Sequence, residues 1–180
     1  DEGFMIRVSN TGDPFNLIDQ SVPETAGRQH LLDLDDFSRE EIEGVVENTD
    51  VMKDVLKRDI KKIPTLRGKT IITLFYEPST RTRDSFEQSS KILSADVINV
   101  SIAESSARKG ESLYNTALTL QAMNADIIVI RHPHSGAPHF LSRFLDSCII
   151  NAGDGSHAHP TQALLDIYTI QSKLGILEGL

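Results

Sequence analysis

The 180-residue sequence has no tryptophan and a single cysteine, Cys148. One thiol cannot close an internal disulfide, so a disulfide-stapled secreted scaffold is excluded and a reducing, cytoplasmic setting is expected. No stretch approaches the roughly 18 apolar residues of a membrane helix. The opening residues are acidic, unlike a secretory signal. Positive charge is in deficit: 18 Lys and Arg face 26 Asp and Glu, for a net charge of -8. Polyanions are repelled by such a chain, which argues against nucleic-acid or anionic-membrane binding, and any anion site must be local. Three sequence signatures are also missing. There is no G-x-x-x-x-G-K-[ST] loop, no G-x-G-x-x-G and no G-x-S-x-G, so nucleotide use and a serine-hydrolase elbow lack support.

What is present is the composition of a soluble globular protein, with 39% hydrophobic and 24% charged residues. The length suits one domain or slightly more. Residues 1–28 show no clear period and read as an irregular or mobile leader. From Ser38 the pattern sharpens. Ser38 and Glu41 have capping-box spacing, and Ile42, Val45, Val46, Thr49, Met52 and Leu56 recur at helical intervals. Lys69 to Tyr76 is a β-branched and aromatic run, as in a strand buried on both faces. Further strands are expected at 97–100, 127–130 and 148–150. Helices are expected at 80–93, 111–123, 138–144 and 160–174, the last opening on Pro160 and stopping at Gly175. This alternation predicts an α/β fold, a parallel sheet of about four strands with helices on both faces.

Ligands of such sheets bind at the carboxyl ends of the strands. Four segments meet there: Ser79-Thr80-Arg81-Thr82-Arg83; Ser101 with Ser105, Ser106, Arg108 and Lys109; Arg131 with His132 and His134; and Asn151 to Gln162. In the first, Pro78 resists helix, so Ser79 to Thr82 fall at a helix N-terminus. Free N–H groups and the helix dipole favour an anion there, and arginine can fork onto phosphate oxygens. An ordinary N-cap with surface arginines is the alternative. Two arginines in a first helical turn oppose the dipole, which favours the bound anion.

The pairs His132-x-His134 and His157-x-His159, with His139, raise the question of zinc. No Asp or Glu has a recognised metal spacing to them, so no metal site is expected. His159 precedes Pro160 at a helix start, with Gln162 in the first turn. A neutral imidazole there can donate to a carbonyl, and the helix terminus lowers its pKa. His157 reads as an exposed loop residue. A triad of Asp154, His159 and a serine is a weaker competitor.

Ser-Thr-Arg-Thr-Arg after a strand, Lys-Gly-Glu-Ser at 109–112, Arg-His-Pro at 131–133 and Asn-Ala-Gly-Asp-Gly-Ser…His-Pro-Thr-Gln at 151–162 resemble the carbamoyltransferases. The forms Arg-His-Pro and Asn-Ala-Gly-Asp-Gly resemble the aspartate branch rather than the ornithine branch. The resemblance runs from about residue 29 to the end. It implies a Rossmann-like carbamoyl-phosphate-binding domain over 29–180, without the aspartate-binding domain of the family. Ser79, Thr80, Arg81 and Thr82 would hold the phosphate. Thr82, Arg131 and His159 would polarise the carbamoyl oxygen, and Gln162 would meet the carbamoyl amide. Ser105 and Lys109 would enter a neighbouring subunit's site in a homotrimer, whereas the sheet-edge argument alone puts them in the same subunit.

The implied reaction transfers the carbamoyl group of carbamoyl phosphate to the amine of L-aspartate, an early step of pyrimidine synthesis. No cofactor is implied. Little turnover is expected from these 180 residues alone. An ornithine-specific domain and a non-catalytic anion-binding or assembly module are the alternatives.

Overall fold

The computed structural model describes residues 27–101 and 112–175. The expectations for residues 1–26, Ser105, Lys109 and Glu111 lie outside the described residues. The elements, in chain order, are α1 (Arg39–Leu56), β1 (Thr70–Phe75), α2 (Thr80–Ile92), β2 (Asp96–Ser101) and α3 (Leu113–Ala122), then β3 (Ile127–His132), α4 (Ala137–Ser142), β4 (Cys148–Asp154) and α5 (Pro160–Leu174). None of the described helices is long and apolar enough to cross a membrane.

Local chemistry sets the helix starts. Ser38 Oγ accepts from the Glu41 N–H at 3.2 Å, while Glu41 Oε2 accepts from the Ser38 N–H at 2.8 Å, completing the capping box. Arg28, placed in the leader by its sequence, is part of the folded unit. It donates to Asp36 at 2.7 Å and to Glu41 at 3.1 Å, and stacks over the Phe37 ring.

All pairings in the sheet are parallel, and the order is β2-β1-β3-β4. Alternating side chains of β1 enter two cores. Ile72 and Leu74 join Ile128, Ile130 and Ile149 beneath Ala117 and Leu120 of α3 and Leu141 of α4. On the opposite face Ile71 and Phe75 join Val129 and Ala152, with Phe86 of α2 packed against them. Both faces are therefore covered, which is why β1 reads as a continuous apolar run.

β2 gains one residue at each end, and two strands run well past their predicted carboxyl ends. β3 continues through Arg131 and His132, and β4 through Asn151 to Asp154. Arg131 and the Asn151–Asp154 stretch thus belong to strand ends rather than loops. Polar residues there, such as the fully buried Asn151 and Asp154, are satisfied by hydrogen bonds that hydropathy does not register.

The order of strands creates a switch point. From β1 the chain leaves through α2 on one face to reach β2; β3, on the other side of β1, leaves through α4 on the opposite face. The connections diverge between the carboxyl ends of β1 and β3, which opens a crevice.

Candidate active site at the carboxyl edge of the sheet

The α2 N-terminus stands at the end of β1. Ser79 is its N-cap but makes no side-chain cap hydrogen bond, and the first turn holds no acidic residue. In contrast, α1, α3 and α5 are capped by Ser38, Ser112 and His159. The first N–H groups of a helix have no intrahelical partner, so α2 presents donors and a positive dipole end that neither a side-chain cap nor a first-turn carboxylate neutralises. Arg83 is turned to Asp84 at 3.5 Å, whereas Arg81 is exposed and makes no ion pair among the described residues.

Arg131 is brought beside this terminus by sheet register: it pairs with Phe75, and its carbonyl accepts from the Tyr76 N–H at 3.0 Å. Its Nη1 donates to the Ala152 carbonyl at 3.0 Å. Its Nε is 3.5 Å from Glu77 Oε2, within ion-pair range but without an aligned hydrogen bond, so Nε is buried and unsatisfied. The contact balances charge without clamping the guanidinium. Of the five guanidinium donors, Nη1 alone donates a hydrogen bond among the described residues.

Gly153 lets Arg131 and His159 come together. A Cβ at Gly153 would stand 2.5 Å from Arg131 Nη1 and 3.5 Å from His159 Cδ2. Its φ of +113° is also one that side chains rarely adopt. Both side chains therefore pack over the bare backbone at the end of β4.

His159 caps α5. Its Nδ1 accepts from the Gln162 N–H at 3.3 Å, and the Thr161 hydroxyl lies 3.2 Å from the same nitrogen. A backbone N–H can only donate, so Nδ1 is unprotonated and the neutral ring carries its proton on Nε2. Burial lowers the His159 pKa, and the Arg131 cation lowers it further. The ring is thereby held as a neutral donor. The exposed Gln162 donates Nε2 to Asp166 at 2.9 Å, leaving Oε1 as an acceptor.

The triad of Asp154, His159 and a serine does not form. Asp154 bonds His157, not His159, at 3.1 and 3.2 Å, and His159 Nδ1 is already an acceptor. His157 lies exposed in the turn, as expected, and is in addition paired with Asp154. Asp154 is instead the hub of the β4–α5 turn. Its oxygens accept from Gly136 N–H at 2.7 Å, Asn151 Nδ2 at 2.9 Å and Ala158 N–H at 3.1 Å. Burial alone would raise its pKa, but these donors and His157 together hold it below the ordinary value.

Two grooves in the described surface lie elsewhere. One runs along Lys61, Asp84, Glu87 and Lys91, the other beneath Arg58, Ile60, Pro64 and Arg67. Neither contains Arg131 or His159, and neither gathers buried donors. Sequence reasoning missed Glu77; its place directly after the β1 run, ahead of Pro78, was the available signal.

The structure thus brings together the α2 terminus, Arg131 and His159, an arrangement suited to an anion with an adjacent carbonyl. Residues 29–172 match the family model of the aspartate/ornithine carbamoyltransferase, carbamoyl-P binding domain. The chain belongs to this carbamoyltransferase family. It is 59% identical over 152 residues to the aspartate carbamoyltransferase catalytic subunit of Desulforudis audaxviator, covering 84% of this chain and 50% of that one. To the corresponding subunit of Roseiflexus sp. it is 56% identical over 165 residues, covering 89% and 52%.

Solved carbamoyltransferases share the fold. The catalytic subunit of M. jannaschii aspartate transcarbamoylase superposes with a TM-score of 0.77 at 44% identity, over 85% of this chain and 50% of that chain. The Trypanosoma cruzi aspartate transcarbamoylase, in complex with carbamoyl phosphate and aspartate, gives 0.78 at 34% identity, over 84% and 47%. This carbamoyltransferase chain spans about half the length of the curated relatives it matches.

Proposed function

We propose that this chain supplies the carbamoyl-phosphate half of an aspartate carbamoyltransferase site. The observation that carries the reading is the uncapped, acid-free N-terminus of α2 beside the Arg131–Gly153–His159 contact. The aspartate branch is favoured over ornithine because the relatives at 55–59% identity are named aspartate carbamoyltransferases. The Trypanosoma cruzi relative was crystallised with both carbamoyl phosphate and aspartate.

In this reading Ser79, Thr80, Arg81 and Thr82 receive the phosphate through backbone N–H groups, hydroxyls and the guanidinium. The carbamoyl oxygen meets Thr82, Arg131 and His159 Nε2–H, and the carbamoyl NH2 donates to Gln162 Oε1. The aspartate amine attacks the carbamoyl carbon, and the C=O electron pair moves onto oxygen. That oxyanion is the charge the three donors stabilise; removal of one donor typically costs about 2.7–4 kcal/mol of barrier. The oxyanion then re-forms the C=O, the bond to the phosphate oxygen breaks, and the amine's proton passes to the departing phosphate. Groups outside residues 29–172 hold the aspartate carboxylates. Ser105 and Lys109 reach the site of a neighbouring subunit in a homotrimer, in the cytoplasm.

Two measurements test this reading. Arg81→Ala is expected to abolish carbamoyl phosphate and phosphate binding in calorimetry, and unchanged affinity would overturn the assignment. The 180-residue chain alone is expected to show little turnover, and activity should appear when the remaining half of a relative is supplied. Robust carbamoyl aspartate production by the chain alone contradicts the division of labour, and a preference for ornithine in the reconstituted assay contradicts the branch.

A further inference from the structure

His139, Asp154 and His157 each offer one ligand atom, and these atoms all lie within 4.8 Å of one another. We propose that they form a site for one divalent borderline transition-metal ion, zinc or a congener such as cobalt(II). The residues come from α4, the end of β4 and the β4–α5 turn, so the tertiary fold assembles them and no sequence spacing announces them.

Three features point to a cation. His157 Nδ1 is 3.1 Å and 3.2 Å from the two Asp154 oxygens. Ligands about 2.0–2.1 Å from a tetrahedral ion stand about 3.3 Å apart, so this edge already has the spacing of a coordination polyhedron. Asp154 is fully buried, and His157 is the one residue within ion-pair distance of it among the described residues. Three N–H donors already support the carboxylate, and a cation beside it, imidazolium or metal, offsets its remaining charge.

The third feature is His139. Its Nε2 lies 2.8 Å from Asp33 Oδ2, and its Nδ1 is buried without a hydrogen-bond partner. A carboxylate only accepts, so Nε2 carries the proton and Nδ1 is left with an unused lone pair. A carboxylate behind a ligand histidine is the usual outer support of a metal site. Imidazole donors favour zinc-like ions over magnesium or calcium. His157 is partly exposed, which gives an ion a path from solvent. A bound ion would tie α4 to the turn leading into His159; the proposal does not depend on the carbamoyl-transfer reading.

The test is titration of the chelator-treated 180-residue chain with cobalt(II), followed by its visible spectrum, and with zinc by calorimetry. One equivalent with tetrahedral cobalt bands is expected. His139→Gln and His157→Gln should each abolish it, and Asp33→Asn should weaken it about 10–100-fold. His134→Gln, which alters the nearby His132-x-His134 pair, should leave it unchanged. Absence of stoichiometric binding to the wild-type chain overturns the proposal and leaves a His157–Asp154 ion pair. Binding lost with His134→Gln but kept in folded His139→Gln also overturns it. Thermal unfolding of each apo variant verifies folding, and where a variant fails to fold, the wild-type spectrum and Asp33→Asn decide.

Discussion

Gly153 shows how one missing side chain can let two others, Arg131 and His159, approach the same stretch of backbone. Gly153→Ala would drive a methyl into Arg131 Nη1 and force a left-handed backbone on alanine, costing about 1–3 kcal/mol. For a chain of this size that is a fall in melting temperature of roughly 2–4 °C per kcal/mol. Because the displaced group is Arg131 and not the α2 terminus, carbamoyl phosphate binding should weaken more than phosphate binding. Equal losses in calorimetry would separate Arg131 from the carbamoyl oxygen. Cys148 makes a contrasting case. Burial pushes its thiol up to about 11. Alkylation by iodoacetamide at pH 8 should be much slower than for a free cysteine, and labelling at the free rate would show that β4 opens readily.

Among the elements, α1 and α2 begin differently for a physical reason. The capping box of α1 satisfies its terminus from within, and Ser38→Ala should cost about 0.5–2 kcal/mol by thermal unfolding. Ser79→Ala should cost little, because Ser79 makes no cap bond; its effect should fall on phosphate affinity instead. The element scale is also where the sequence was most legible. Apolar period and caps located α1, α2 and α5 within about a residue, because Ser38, Pro78, Pro160 and Gly175 are local signals. The strand ends were not legible. Asn151 and Asp154 look like loop residues until their partners Leu32, Gly136 and Ala158 are seen, and those lie far away in sequence or in backbone N–H groups. The pairing of Asp154 with His157 rather than His159 was hidden for the same reason: spacing allows either histidine, and only the turn chooses.

At the scale of the whole molecule, three histidines share one direction of titration. Burial lowers the pKa of His30, and it does the same for His132 and His159, aided by the His134 and Arg131 charges respectively. Above the ordinary histidine value of 6.5 both folded and unfolded chains hold them neutral. As pH falls through 6.5 toward the lower folded values, the unfolded chain binds more protons and stability drops. The slope is at most about 1.4 kcal/mol per pH unit for each proton. Melting temperature should therefore decline between pH 7 and pH 5.5, and His30→Gln should flatten the decline. A flat profile would mean these rings are not held neutral.

The parallel sheet was readable from alternation alone. The join of Arg131 to His159 over Gly153 was not, since it depends on strand register. The claim on which the account rests is that a phosphate dianion occupies the first turn of α2. The most direct test is an amide proton–nitrogen NMR titration of the 180-residue chain with carbamoyl phosphate, and with inorganic phosphate as the simpler anion. The account predicts that the largest shifts fall on the amides of Thr80, Arg81 and Thr82, with smaller ones at Arg131 and Gly153. Shifts that leave 80–82 untouched while saturating elsewhere would contradict it.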